Sequence, residues 1–309
     1  MAGNILNFGS LNIDYVYAVD HIVKEGETES SSGYQIFAGG KGLNQSIALA
    51  RAKSQVFHAG KIGKEGLFLK EALEKEGINS TYLTVDHGAN GHAIIQRSIK
   101  GENSIVLYPG ANHKITEHDV DTVLADFEAG DVLVCQNEIS SMEYLLDAAF
   151  KKGLNIAWNP SPITSLVEKT DLSRITWLVI NEIEGQSITK KADPREILQV
   201  LGKQYPKLSV VLTLGKDGSV FQGNGQQIWQ ESFSVPAVDT TAAGDTFFGY
   251  LMSQLAGKEQ AKETVKEALR LASAAAALAV SKEGAVPSIP CMEEVREFLL
   301  CSHHDESPR

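Results

Sequence analysis

Cysteine is scarce in this chain of 309 residues: Cys135, Cys291 and Cys301 lie far apart, and no C-x-x-C spacing occurs. An odd, scattered set excludes a disulfide framework and a thiolate zinc site and points to reduced thiols, with Cys135 read as packing inside a strand. Long apolar runs are missing as well. The longest run of small apolar residues, Leu271 to Val280, is too short to span a bilayer, which takes roughly 20 residues. Basic clusters are absent, and the formal net charge of −11 argues against a nucleic-acid partner or an anionic membrane surface. Met1-Ala2-Gly3-Asn4 has no basic segment of the kind that opens a secretory leader, so a soluble cytoplasmic protein is expected. Of the eight histidines only His303 and His304 are adjacent, in a polar tail that reads as a frayed terminus, with residues 303–309 expected to be disordered. No G-x-x-x-x-G-K-[ST] and no G-x-G-x-x-G occurs, which removes the two commonest phosphate-binding fingerprints.

What is present is an alternation of short β-rich runs with helical stretches. Ile5 to Phe8, Val56 to Ala59, Val132 to Cys135, Asn155 to Trp158, Trp177 to Ile180 and Val210 to Leu214 are the runs, and they imply a mostly parallel sheet with helices on both faces. Ligands of such a sheet bind at the carboxyl ends of its strands. Two stretches, Asp14 to Ala38 and His92 to Tyr108, are strand-like throughout, the second with a turn at Lys100-Gly101-Glu102-Asn103.

The most informative segment is Asp239-Thr240-Thr241-Ala242-Ala243-Gly244-Asp245-Thr246. It follows a β-rich run, Ser234 to Val238, and opens a stretch with apolar residues at Phe247, Phe248, Leu251, Met252 and Leu255, which is helical spacing. Ala242, Ala243 and Gly244 have little or no side chain, so their amides can approach an anion at the positive end of the helix dipole. Asp245 falls in the first helical turn, where an ionised carboxylate beside a bound phosphate can take the proton of an attacking hydroxyl. A bare helix cap would account for Asp239 or Thr240 but requires none of the small residues that follow.

A second glycine cluster, Ala38-Gly39-Gly40-Lys41-Gly42-Leu43-Asn44-Gln45, leads into another helical stretch, and its glycines let backbone approach a ligand. Near the start, Gly9-Ser10-Leu11-Asn12-Ile13-Asp14 follows the first strand. Alone, that hexamer reads equally as a strand ending in an Asx turn. Asp accepts from two hydroxyls while Asn both donates and accepts, which suits a sugar.

These three segments, in this order, resemble the signatures of the ribokinase-like carbohydrate kinases, and the resemblance extends from Gly9 to Ser288. It implies a three-layer αβα sandwich with a mostly parallel central sheet and a small β-sheet lid, its strands at about residues 12–37 and 92–109, all within one kinase domain over residues 1–302. It further implies that Asp245 is the catalytic base and that Ala242, Ala243 and Gly244 form the anion hole. Asn12, Asp14, Gly39, Gly40, Lys41, Gly42, Asn44 and Glu138 would contact the sugar. Asn181 would reach nucleotide phosphate, and Glu184 would organise Mg²⁺ through water, one carboxylate sufficing because Mg²⁺ keeps most of its waters. The turn Thr213, Leu214, Gly215, Lys216, Asp217 and Gly218 would bind ATP, although as residues alone it is also an ordinary hairpin connection. Ser273 stands where the resemblance implies an adenine neighbour. Asp239, Thr241, Ala279, Lys282, Gly284 and Ser288 would wrap a K⁺ ion, largely with carbonyl oxygens. The activity implied is ATP-dependent phosphorylation of the primary hydroxyl of a small sugar, D-ribose first, with fructose, deoxyribose or a sugar phosphate as alternatives. A catalytically silent sugar-binding protein is the reading from another class. The lid would exclude water and serve as the surface of a homodimer.

Overall fold

The computed structural model describes residues 3–302, so the tail at 303–309, with His303 and His304, lies outside the described residues. The strands are β1 (Ile5–Phe8), β2 (Asn12–Val19), β3 (Gly33–Gly39), β4 (Val56–Ile62), β5 (Asn79–Val85), β6 (Gly91–Ser98), β7 (Asn103–Tyr108), β8 (Val132–Cys135), β9 (Asn155–Trp158), β10 (Trp177–Asn181), β11 (Ser209–Thr213), β12 (Ser219–Gly223) and β13 (Gln226–Gln230). The α-helices are α1 (Lys41–Arg51), α2 (Leu67–Lys75), α3 (Glu117–Leu124), α4 (Met142–Lys152), α5 (Ser165–Lys169), α6 (Glu182–Thr189), α7 (Pro194–Gln204), α8 (Ala243–Leu255), α9 (Lys262–Val280) and α10 (Met292–Ser302).

Nine strands form the central sheet in the order β13-β12-β11-β10-β9-β8-β1-β4-β5. Pairing is parallel from β11 to β5, and β12 and β13 add an antiparallel edge. Successive side chains of a strand point to opposite faces. Val132 and Val134 therefore pack into one core with Ile47, Leu251 and Ala272, while Leu133 and Cys135 pack into the other with Leu145 and Leu201. A strand covered on both faces has no solvent-facing position, which is why β8 reads as an unbroken apolar run. The expected three-layer sandwich is the observed one. No helix among the described residues is long and apolar enough to cross a membrane.

From β1 the sheet grows one way to β4 and β5 and the other way through β8 to β11, so the winding reverses between β1 and β8. A crevice opens at the carboxyl ends of strands at such a reversal. Gly9 follows β1 there, and Gln136 to Glu138 follow β8. The helices α1 and α8 converge on the same place. A Cβ on Gly249 would lie 2.4 Å from the Cβ of Ala48, so only glycine allows these helices to approach so closely.

The smaller sheet, in the order β3-β2-β6-β7, is the expected lid. Directly paired residues share a face. Tyr15 pairs with Ile36 and Ile94, Tyr17 with Tyr34, and Ile94 with Val106, so these side chains line one face; Asn12, paired with Gly39 and Gly91, and Asp14, paired with Phe37 and Ala93, lie on the other.

Three local expectations are corrected. The stretch Asp14 to Ala38 is not one strand-like unit: residues 20–32, rich in Glu and Ser, loop between β2 and β3. Ser234 to Val238 is not a strand, because Pro236 lacks an amide hydrogen and the Val238 amide turns to the carbonyl of Val280 at 2.8 Å. The octapeptide is thus a loop-to-helix junction. Strands β5, β12 and β13 were not anticipated, the last because its Gln-rich, alternating pattern lacks an apolar run.

Candidate active site

The two glycine-bearing segments, two hundred residues apart in the chain, meet through side chains. Asn44 donates from Nδ2 to Oδ2 of Asp245 at 3.0 Å, and Gln45 donates from Nε2 to Oδ1 at 2.9 Å. Both carboxylate oxygens of Asp245 are held, and the residue is 7% exposed in the third position of α8. Ahead of it, Ala242 takes a left-handed conformation with φ of 59° and occupies the capping position, so neither Asp239 nor Thr240 caps the helix. That conformation strains a residue with a Cβ. It leaves the amide of Gly244 without a partner among the described residues, whereas that of Ala243 makes a long bond of 3.3 Å to the carbonyl of Thr240.

Facing this junction is the end of β2. Oδ1 of Asn12 accepts from Nδ2 of Asn112 at 2.7 Å, and Oδ1 of Asn112 accepts the amide of Leu11 at 3.0 Å, so Asn112 fixes which end of the Asn12 amide is free. Asp14 packs over Gly39, where a Cβ would lie 2.0 Å from Oδ2 of Asp14, and this contact is what requires glycine at that position. Burial, reinforced by the charge of Glu138, pushes the Asp14 carboxyl up to about 7. Burial likewise raises Glu138, against the opposing field of Lys41. Oε2 of Glu138 accepts from Ser10 Oγ at 2.5 Å and from the Lys41 amide at 3.2 Å. The field of Asp245 first, then those of Glu138 and Glu184, raises the Lys41 ammonium in spite of its burial. One cation therefore stands among Asp245, Glu138 and Glu184.

The other end of the cleft is built differently. Asn181 ends β10 and caps α6: its Oδ1 accepts the Glu184 amide at 2.9 Å while Oε2 of Glu184 accepts the Asn181 amide at 2.9 Å, a reciprocal capping box. Asn181 is exposed and Glu184 buried. Gly215, Lys216 and Asp217 form an exposed 3₁₀ turn between Thr213 and Gly218, joining the antiparallel pair β11 and β12. Asp239 accepts from the amide and hydroxyl of Thr241 at 2.9 and 2.6 Å and from the Gly284 amide at 3.0 Å; against the effect of burial, these bonds hold its carboxyl below the usual range. The loop carrying Asp239 and Thr241 is thereby braced to the loop carrying Gly284. Ala279 lies in the last turn of α9 beside this brace, Ser288 is buried nearby, and the Lys282 ammonium is turned to Glu294 at 2.7 Å. Ser273 is buried on α9, and no hydrogen bond among the described residues ties it to the cleft.

Ser10, Gln45 and Asn112 complete the site and were not singled out as binding residues from sequence. Gln45 stood inside a recognised motif. Ser10 likewise stood inside the Gly9 to Asp14 segment, whereas Asn112 carries no local signal, since it matters only through a partner about 100 residues away.

The pfkB family carbohydrate kinase model matches residues 2–292. The chain belongs to the pfkB family. Within that family, a ribokinase of Haemophilus influenzae is 37% identical over 300 residues, covering 94% of this chain and 96% of its own. Among solved structures, a Cryptococcus neoformans ribokinase in complex with ADP superposes with a TM-score of 0.82 at 33% identity, covering 96% of this chain and 99% of that one. An Arabidopsis thaliana ribokinase complexed with ribose and ATP gives 0.81 at 30% identity, with 97% and 99% covered. As a pfkB carbohydrate kinase, this chain carries its two end segments in contact at one carboxylate.

Proposed function

We propose that this pfkB kinase transfers the γ-phosphoryl group of ATP to the primary hydroxyl of D-ribose, giving ribose 5-phosphate and ADP. The observation that carries this reading is the placement of Asp245, held at both oxygens beside the free amide of Gly244 and opposite the polar ends of Asn12, Asp14 and Asn44. The relatives named above as ribokinases support the choice of sugar.

In this mechanism Asp14, Asn12, Asn44 and Glu138 bind the sugar hydroxyls together with the backbone from Gly39 to Gly42. Asp245 accepts the primary hydroxyl's proton as its oxygen attacks the γ-phosphorus. The amides around Ala242, Ala243 and Gly244, with the Lys41 ammonium, meet the charge spread over the phosphoryl oxygens. ADP leaves with the nucleotide held at Asn181, Ser273 and the Thr213 to Gly218 turn. For Mg²⁺, the residues fit an ion bound mainly by phosphates and water, since Glu184 offers one buried carboxylate with one oxygen spent on the cap. When bound, Mg²⁺ neutralises phosphate charge. For K⁺, the carboxylate of Asp239, bracing two loops from beneath the amide nest, is a fitting anchor for Thr241, Ala279, Lys282, Gly284 and Ser288; a bound cation adds positive charge to the nest.

The lid face opposite Asn12 and Asp14 exposes Tyr34, Ile36, Ile94, Val106 and Tyr108, and this apolar face supports pairing with a second copy through the lid. Val106→Glu is expected to shift a dimer to monomer in sedimentation. A cytoplasmic location, where ATP is at hand, suits this activity.

The test is ADP release across ribose, 2-deoxyribose and fructose, with K⁺ or with Tris alone. Ribose is expected to give the highest kcat/KM and K⁺ to raise it. A sugar that exceeds ribose about tenfold would move the assignment within the family, and equal rates without K⁺ would remove the cation.

A further inference from the structure

Behind Asp245 a file of amides, the buried Asn7, Gln45 and Gln136 and the half-buried Asn159, runs into the sandwich, and each can be oriented only one way. It begins at two backbone carbonyls, which accept and never donate. Asn7 donates from Nδ2 to the carbonyl of Gly42 and to Oγ of Ser46, both at 2.8 Å, so its Oδ1 is left to accept. Gln136 must then present Nε2, which donates to Asn7 Oδ1 at 3.0 Å and to Gln45 Oε1 at 2.7 Å. From the other side, Asn159 donates from Nδ2 to the carbonyl of Val179 at 3.0 Å, and its Oδ1 accepts from Gln45 Nε2 at 3.1 Å. Gln45 is fixed from both sides, and its remaining N–H points at Oδ1 of Asp245. The file continues from Ser46, whose hydroxyl is 2.7 Å from Nδ1 of His58. Burial pushes His58 down to about 3, so its ring is neutral at physiological pH, and because Ser46 Oγ already accepts from Asn7, His58 Nδ1 is the acceptor within reach of the Ser46 proton among the described residues. The ordering leaves Oε1 of Gln136 buried without a partner, against Gly9, where a Cβ would lie 2.4 Å away.

From this we infer that Gln45 is a positioning residue for Asp245, and that Gln136, which touches neither sugar nor nucleotide in the proposed mechanism, sets the direction of its amide. A reversed Gln45 would aim a carbonyl oxygen at the carboxylate and drive it off the attacking hydroxyl. The inference rests on Asp245 being the base. It adds that the aim of the base is fixed from the rear of the sheet, by anchors on β1, α1 and the segments after β8 and β9.

The experiment compares Gln45→Met, Gln136→Glu, the double variant and Asp245→Asn. Gln136→Glu keeps the shape; at a pH high enough to ionise its buried carboxyl it cannot donate and forces Gln45 to turn its N–H inward, so its loss is expected to grow as pH rises. Gln45→Met and Gln136→Glu are each expected to lower kcat about 10- to 100-fold with the sugar dissociation constant held within about threefold. Because Gln136 acts through Gln45, the double variant is expected to be no slower than Gln45→Met, whereas two independent packing defects would multiply. Should buried charge prevent Gln136→Glu from folding, Gln136→Met takes its place in the same cycle with a smaller expected loss. Rates within about twofold of wild type in folded single variants, or losses that multiply in the double, would overturn the inference. Full turnover in Asp245→Asn would instead overturn the assignment of the base, and the two failures are therefore separable.

Discussion

At the proposed sugar end of the cleft, side chains are held by partners remote in sequence: Asn12 by Asn112 across 100 residues, and Asp245 by Asn44 and Gln45 across 201 and 200. At the proposed nucleotide end most partners are local: Asn181 and Glu184 cap one another three residues apart, and Asp239 holds Thr241 two residues on, its one longer tie being to the Gly284 amide. The sugar end is buried and largely finished before anything binds. The nucleotide end is exposed turns and backbone amides, which take shape around phosphate at little cost because they carry few side chains to order. Selectivity therefore belongs to the first end and tolerance to the second.

The sharpest way to break this contrast is Asp245→Asn, expected to lower kcat by about 10²- to 10⁴-fold while sugar binding by calorimetry stays near wild type. Next in size is Asn112→Leu. It strands the Leu11 amide and frees Asn12, so a stability loss of about 1–3 kcal/mol in urea and a roughly tenfold rise in sugar KM are expected, with the KM for ATP unchanged. At the other end, Asn181→Ala removes a cap worth about 1 kcal/mol and is expected to raise the KM for ATP severalfold without touching sugar affinity. If Asn181→Ala moved the sugar constant as far as Asn112→Leu does, the two ends would not be separate units.

Asp14 gives the most direct measure of preorganisation. Its carboxyl is held up at about 7 in the folded state against 3.8 for a free aspartate, so the folded state keeps a proton that the unfolded state loses. The stability this contributes is complete below pH 3.8 and is lost as pH rises to about 7. Asp14→Asn is expected to flatten that slope in urea titrations at several pH values. Sugar hydroxyls donating to the carboxylate favour its ionised form, so ribose binding below pH 7 is expected to release protons, seen as a dependence of binding heat on buffer.

Local chemistry made much of this legible in sequence. Strands β1, β8, β9 and β10 announce themselves as apolar runs because both faces are covered, and the small residues before Asp245 mark a backbone meant for an anion. Asn112 and the direction of Gln45 were not legible, since an amide's partner 100 or 200 residues away leaves no trace in its neighbours. Ser234 to Val238 misled for the reverse reason: its two valines suit a strand, but Pro236 and the pull of Val280 deny it a ladder. Asn181 and Glu184 answered to both readings, a helix cap by geometry and a cleft-facing pair by position.

The bonds from Asn44 and Gln45 to Asp245 also order events during synthesis. Helix α1 is made early and α8 late, so a growing chain carries the polar face of α1 without its carboxylate until four-fifths of the sandwich has been translated. Contacts so distant in sequence form slowly. A chain truncated before α8 would expose the apolar flank of α1 around Ala48, and nascent or clipped forms are then a substrate for chaperones before they are a catalyst.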